Sequence, residues 1–596
     1  MTKSPTDDSA GEIVIGSPSE VLQRAAAHYN KTEYAAAAAI CREVVAQDSD
    51  NAEALFILGH IAGQTGEHDA AVSYFVRAVS LAPTDPRFSR GFALALERAN
   101  RLDHAIQAWQ QYLAATPDDL EGQLHLARLH DDAGDFAGSA AAYATALALA
   151  PEDRQTRFAL AVARQRAGDL EGAVESYEAL RGTAAHSTDA EIENNLGVCL
   201  ARLGRREEAR RCYDKALALR PEWAEGHLNL ANLLRQTDRF EEAVEHYETA
   251  LAASPDDYRI HGSFALARMN MNDVDGAVAG YRRALELAPE DAELRKGLGI
   301  AQLLGGDLRE GWANYEARLL CEPVRAFAIP RWRGEDLAGG SLLVYAEQGF
   351  GDTLQFARYL PAVAARANAG EVVFECQRGL CRLLSCVAGI DRIVPRGEPL
   401  PETDRQVPLL SLPGIFETAL HTIPAPKGYL QPPAASDRPK ISNGGARIGV
   451  VWKGNPSRLE DERRSCPLAA LAPIVELAGP TFVSLQTDAA PCEADWLSAR
   501  GVADGAETIE DFADTAAVVS RLDLIVTVDT ASAHLAGALG KSVWVMLGYA
   551  ADWRYLVARE DSPWYPSMRL FRQESAGDWD GVIGRVTDAL RREFGL

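Results

Sequence analysis

The stretch PTDPRFSRGFALALERANRLDHAIQAWQQYLAATP, residues 83–117, decides the fold of the first half of the chain. It opens and closes on a proline, and prolines in the same phase stand at Pro83, Pro117, Pro151, Pro221, Pro255 and Pro289. The gaps are 34 residues, except that 70 separate Pro151 from Pro221, two periods plus two residues. With the proline as position 32 of a unit, position 8 is small: Gly59, Ala93, Ala127, Ala161, Gly197, Ala231 and Ala265. Position 20 is usually Ala (Ala71, Ala105, Ala173, Ala209, Ala243, Ala277), and position 27 often is (Ala78, Ala146, Ala216, Ala250, Ala284). Small side chains at these spacings let the two helices of a unit, and the next unit, approach closely. A fixed period of this length therefore predicts an all-α solenoid of two-helix units.

Thirty-four residues is the period of the tetratricopeptide (TPR) unit. Such arrays present a long curved groove that holds another protein, so a protein partner is expected. The array is expected over residues 18–319, in about eight units. An early degenerate unit runs to Ser49, with Ala25 and Ala37 at positions 8 and 20. Regular units follow to Pro289, and a partial unit from Asp291 to Leu319 caps the array. Residues 1–17 read as a disordered tail, and Arg181–Asp189 (RGTAAHSTD) as an inserted loop.

The 596 residues carry a formal net charge of −25 and are 47% hydrophobic. That composition fits a globular protein of two or more domains. It argues against a nucleic-acid partner, which needs a basic face. The segment from Met1 to Glu12 lacks the basic start and apolar core of a signal peptide, and no apolar run reaches the length of a membrane span. The nine cysteines are scattered; Cys376, Cys381 and Cys386 fit no zinc pattern, and scattered thiols point to the cytosol.

After Cys321 the period disappears, and residues 320–340 read as a linker. Strands are expected at Leu342–Ala346, Glu371–Glu375, Arg392–Pro395, Arg447–Trp452, Thr481–Gln486, Asp523–Val528 and Ser542–Leu547. Helices are expected at Thr353–Ala367, Leu468–Leu477, Asp511–Arg521, Ser532–Leu539 and Asp580–Phe594. This alternation predicts parallel sheets covered by helices on both faces. The Pro-, Ser-, Asn- and Gly-containing stretch Pro424–Gly445 divides the region into two Rossmann-like lobes, 341–432 and 445–596, with a cleft between them.

In the first lobe a strand runs through EQGFGDT (347–353) into a helix, the arrangement that sets a ligand at a helix N-terminus. Gly349 and Gly351 permit a tight turn there. Asp352 reads either as a helix cap or as a general base facing the cleft, and Glu347 is a second candidate base. The pattern is not G-x-G-x-x-G, so no dinucleotide cofactor is indicated. In the second lobe, KGNPSRLEDERRS (453–465) follows a strand. Lys453, Arg458, Arg463 and Arg464 read as a diphosphate clamp at the strand's carboxyl end, or as a solvated loop interleaved with Glu460, Asp461 and Glu462. Lys453, directly after the strand, is the strongest candidate. In LDLIVTVDTASAHLAGALGKSVWVMLG (522–548) a turn at Asp529–Thr530 leads into a small-residue helix. Ala531, Ser532 and Ala533 let phosphate approach the helix N-terminus. Asp529 binds ribose or orders the loop; His534 contacts phosphate or packs in the core. Asp511 reads as a cap, and Trp553, Arg554, Trp564 and Tyr565 as core cover or as a platform for a base or sugar.

Several segments resemble a known family: EQGFGDTLQFARYLP (347–361), VVWKGNP (450–456) with DERRS (461–465), DFADTAAVVSRLDLIVTVDTASAHLAGALG (511–540) and DSPWYPSMRLFRQ (561–573). They look like bacterial TPR proteins bearing a glycosyltransferase domain similar to family 9, the heptosyltransferases. The layout also resembles soluble flagellin glycosyltransferases of alphaproteobacteria and, more distantly, eukaryotic O-GlcNAc transferase. The resemblance implies a GT-B fold, with the acceptor on the first lobe and the nucleotide sugar on the second. It implies Asp352 as base and Lys453 as phosphate ligand. It matches Asp529, Thr530 and His534 to the Asp-[Ser/Thr]-Gly-x-x-His donor motif, with Ala531 in place of the glycine.

The expectation is therefore a cytoplasmic, metal-independent protein O-glycosyltransferase. Its solenoid would capture a protein acceptor, flagellin by resemblance, and residues 1–319 and 320–596 would be separable modules. The donor would be a nucleotide sugar, a CMP-linked nonulosonic acid by resemblance, with no bound cofactor. The alternatives are a transferase acting on lipopolysaccharide or another envelope glycan, and a catalytically inactive protein-binding scaffold.

Overall fold

The computed structural model describes residues 19–181, 189–321, 325, 327–424, 428–432, 445–454, 461–550 and 552–596. The expected tail, most of the inserted loop after Arg181, most of Pro424–Gly445, and Arg458 with Glu460 lie outside the described residues.

From Glu20 to Tyr315, eighteen helices form nine pairs among the described residues, against about eight units expected from the period. The small positions work by close approach. A Cβ on Gly59 would stand 2.8 Å from the Phe75 ring, and one on Gly197 would stand 2.7 Å from the Tyr213 ring. Ala71, Ala78, Ala105 and Ala146 are buried where helices cross. Five of the units are also punctuated by Pro-x-Asp. The proline follows the last helical residues of one unit, where it cannot continue the ladder. The aspartate then caps the next helix. Asp85, Asp119, Asp153, Asp257 and Asp291 accept the N–H groups of Arg87, Gly122, Gln155, Arg259 and Leu294 at 2.9–3.2 Å. A carboxylate there also favours the positive end of the helix dipole.

The chain packs as two compact units, Met1–Leu233 and Leu234–Leu596. The first holds a core that runs from Leu22 to Ala163. In the second, a single core joins Leu303, Leu308, Trp312 and Tyr315 of the last repeat to Val344 and Phe356 of the first lobe and to Leu535 and Trp553 of the second. The division between compact units therefore lies inside the repeats, and not at residue 319/320.

The first lobe is a four-stranded parallel sheet: β1 (Ser341–Tyr345), β2 (Glu371–Cys376), β3 (Arg392–Pro395) and β4 (Arg405–Pro408), in the order β3-β2-β1-β4. The second is a six-stranded parallel sheet in the order β10-β9-β8-β5-β6-β7. Its strands are β5 (Arg447–Val451), β6 (Thr481–Ser484), β7 (Ala503–Asp504), β8 (Leu524–Val528), β9 (Val543–Leu547) and β10 (Met568–Arg572). Renumbered within itself, the second sheet has the doubly wound order 3-2-1-4-5-6, and the first is its 3-2-1-4 part. The order reverses between β1 and β4 and between β5 and β8. Ligands of such sheets bind outside the carboxyl ends at that reversal. Among the described residues no helix is long and apolar enough to cross a membrane.

Candidate functional site

The chain leaves β1 and enters the helix Phe350–Phe356 through Gly349. Gly349 has φ −75° and ψ 176°, an extended backbone that any residue adopts, and Gly351 is not left-handed either. Neither glycine is therefore required by the turn's backbone geometry. Gly351 serves packing: a Cβ there would stand 2.9 Å from Cδ2 of His534 and 3.7 Å from Cα of Ala531. The helix Phe350–Phe356 thus lies directly on the helix Ala531–Ala538 of the second lobe.

Asp352 caps its helix and also forms an ion pair with the second lobe. Its Oδ2 accepts the Gly349 N–H at 3.0 Å, which is the cap. Its Oδ1 is ion-paired with Arg554 of the second lobe. Arg554 in turn holds Asp552 at 2.7 and 2.8 Å and donates from Nε to Gln355 at 2.9 Å. Burial pulls this guanidinium down, but Asp552 and Asp352 more than offset it and hold its pKa above the usual arginine value. No local pattern marks this pairing, because the partners lie 202 residues apart.

Glu347 goes elsewhere. It pairs with the buried Arg318 at 2.8 Å and accepts the Leu410 N–H at 3.3 Å. Burial pushes its carboxyl up, and Arg318 only partly opposes this. Glu347 therefore ties the end of the repeats to the first sheet's reversal point, just beyond β1 and β4.

In the second lobe, Lys453 lies just past β5 and is held by Glu493 at 2.6 Å. Burial raises the Glu493 carboxyl, but the Lys453 hydrogen bond and the Ala490 N–H outweigh it and the net shift is down. Arg464 lies 3.5 Å from Asp529 and 3.4 Å from Asp461. Arg463 turns away from that pair: it donates to the Arg235 carbonyl at 2.6 Å and pairs with Asp238 at 2.8 Å, both in the repeats. Beyond β8, Asp529 accepts from the Tyr555 hydroxyl at 2.8 Å. Thr530 stands at the cap position with its hydroxyl 3.1 Å from that of Thr527, and Ser532 is half-buried on the first turn. Asp511 caps its helix through the N–H groups of Ala513 and Asp514, and also pairs with Arg382 of the first lobe at 2.6 Å. Trp553, Trp564 and Tyr565 are buried, and Trp553 packs on Trp312 with ring centroids 5.3 Å apart.

The structure thus brings Gly351, Asp352, Asp529 and His534 to one inter-lobe face through Arg554 and Tyr555. Lys453 sits at the same reversal point with its own carboxylate partner. Glu347 and Arg463 bind other elements.

His534 is buried, with Nδ1 3.2 Å from the Tyr565 hydroxyl. Burial pulls its imidazole down to about 4. The unfolded chain binds that proton more readily, so the stability contribution is present above about pH 6.5 and is lost as pH falls toward 4. The shift corresponds to on the order of 3 kcal/mol. Thermal unfolding of the wild type and His534→Gln at pH 7.5 and 5.0 reads it. The wild type should lose more stability between the two pH values than the variant, and equal losses would contradict this assignment.

Tetratricopeptide repeat family models match residues 22–86, 58–120, 90–154, 124–190, 188–256 and 234–298. Protein FlbA of Caulobacter vibrioides is 31% identical over 317 residues, 47% of this chain and 52% of FlbA. The chain thus spans about half the length of that relative. Among solved structures, the C-terminal part of a TPR repeat-containing protein from Cytophaga hutchinsonii matches at 16% identity and TM-score 0.32, over 41% of this chain and 99% of that one. The APC/C hetero-tetramer Cut9–Hcn1 matches at 17% identity and TM-score 0.29, over 47% of this chain and 55% of that one. The helix pairs of residues 22–298 are tetratricopeptide repeats.

Proposed function

We propose that this chain is a cytoplasmic protein O-glycosyltransferase of GT-B fold, whose repeats bind the protein acceptor. Asp352 takes the proton from a Ser or Thr hydroxyl, while Lys453 and the N-terminus of the helix Ala531–Ala538 stabilise the leaving phosphate. Flagellin as acceptor, and a CMP-linked nonulosonic acid as donor, are what the family resemblance implies. One observation carries the reading. Lys453 and the Asp529–Ala533 turn lie beyond β5 and β8, where the strand order of the second sheet reverses, and the helix after this turn packs on Gly351 of the other lobe, the neighbour of Asp352. That is the position at which doubly wound sheets take nucleotides.

A second reading, the inactive scaffold, draws on the ion pairs: Lys453, Arg463 and Arg464 each have a carboxylate partner already. Calorimetric titration with CMP-, UDP- and ADP-sugars separates the two. The transferase reading expects one of them to bind. A charge-assisted bond to phosphate contributes about 1.5–3 kcal/mol, so Lys453→Ala should weaken that donor by roughly tenfold or more. Absence of binding by every nucleotide sugar would favour the scaffold.

A further inference from the structure

The segment Asp552–Leu556, DWRYL, reaches both halves of the site with two consecutive side chains. Arg554 is ion-paired with Asp352 on the first lobe, and the Tyr555 hydroxyl donates to Asp529 on the second at 2.8 Å. Both residues are buried, at 8% and 1% exposure, so neither contact competes with bulk water. The segment is itself held from several sides. Asp552 accepts the Arg554 N–H at 2.9 Å and takes its Nη1 at 2.7 Å. Arg572 of β10 donates to the Tyr555 carbonyl at 2.7 Å. The Arg554 guanidinium stacks on Trp553, 4.3 Å from the ring centroid, and Trp553 is wedged against Trp312 and Trp564. The turn ends at Leu556 with φ 54° and ψ −175°, a backbone that a leucine rarely adopts. Such a conformation persists only where the surroundings over-determine it, and it gathers at functional sites.

We propose that Arg554 and Tyr555 are positioning residues for sugar transfer, which rests on the glycosyltransferase reading. Arg554 sets the Asp352 carboxylate on the acceptor side. Tyr555 sets the Asp529 carboxylate on the donor side. Because the two are neighbours on one rigid turn, the spacing between the acceptor and donor halves is determined by a single peptide unit. Sites built this way tolerate little displacement, and a misplacement of about 1 Å costs on the order of 10²-fold in rate.

The test is steady-state transfer by the full chain, with acceptor protein and nucleotide sugar varied in turn. Tyr555→Phe removes one hydroxyl and keeps the ring. It should raise KM for the nucleotide sugar by about tenfold, the worth of one hydrogen bond to a charged group, and leave kcat within about twofold. Arg554→Gln should lower kcat by about 10²-fold at unchanged donor KM, and Arg554→Lys, which keeps the charge, should recover part of that loss. Amide hydrogen exchange on the same variants is a second readout that needs no turnover. Tyr555→Phe should speed exchange at Asp529–His534 alone, and Arg554→Gln at Gly349–Thr353 alone. The proposal is overturned if KM and kcat move together in both variants, or if either variant loosens both loops or neither. If the wild type transfers no sugar from any donor, the glycosyltransferase reading fails by itself, and the exchange pattern still decides whether this turn positions the two carboxylates.

Discussion

A fragment that starts at residue 320 is expected not to fold cooperatively, whereas one that starts at Ala224, at the head of the helix Ala224–Gln236, is expected to melt in a single sharp transition. The reason is the shared core of the second compact unit. Cutting at 319/320 removes Leu303, Leu304, Leu308, Trp312 and Tyr315, all between 0% and 5% exposed and all packed with lobe residues. At about 1.5–3 kcal/mol for each large buried apolar side chain, the loss is on the order of 10 kcal/mol. That is comparable to the entire stability of an ordinary domain, about 5–15 kcal/mol. The same cut removes Arg318 and leaves Glu347 buried without its guanidinium partner, which costs about 3–5 kcal/mol more. Circular dichroism melts and dye binding on the two fragments read the difference. A fragment 320–596 that melts cooperatively near the temperature of the fragment from Ala224 would show that the last repeats are dispensable to the lobes.

Asp352→Asn is expected to slow sugar transfer by about 10²–10⁴-fold, the usual cost of losing a general base, while the affinity for the nucleotide sugar is retained. Asparagine still accepts the Gly349 N–H through its amide oxygen, so the helix keeps its cap. It does not match the charge of Arg554, so the variant should also lose about 1.5–3 kcal/mol of stability, although Asp552 remains as a carboxylate partner. Rates must therefore be measured well below the variant's own melting temperature, with donor binding followed by calorimetry in parallel. Wild-type turnover would reduce Asp352 to a cap and an inter-lobe ion pair. Glu347, the second candidate base, would then be the next residue to substitute, with its pairing to Arg318 and the Leu410 N–H controlled for in the same way. Loss of donor binding together with turnover would mean that the substitution had disturbed the fit of the two lobes.

The repeats were legible because their signal is local and recurs. One proline, three small positions and a period of 34 residues recover the helix pairs, since each repeats the same close crossing. The Pro-x-Asp caps were visible too, but only once the helix starts were known. In the second half, the strands buried on both faces declared themselves as apolar runs: β1, β2, β5, β6, β8 and β9. β4, β7 and β10 did not. All three lie at sheet edges, where one side is unpaired and polar residues such as Arg405, Gln406, Asp504 and Arg569 are tolerated; β3, the fourth edge strand, was legible only through the apolar pair Ile393–Val394. The candidate site divided in the same way. Asp352, Lys453 and Asp529 could be picked out because each follows a strand at a turn, a feature of a few consecutive residues. Their partners could not. Arg554 meets Asp352 across 202 residues, Glu493 meets Lys453 across 40, and Arg463 faces Asp238 in the repeats. The sequence by itself determined the periodic helices, the buried strands and the turns that carry charge, because propensity and hydrophobic pattern act over short stretches of chain. Only the tertiary structure decided which carboxylate each cation holds, where the compact units divide and how the lobes meet, because those depend on long-range burial, where a buried charge must find its partner wherever the fold brings one near.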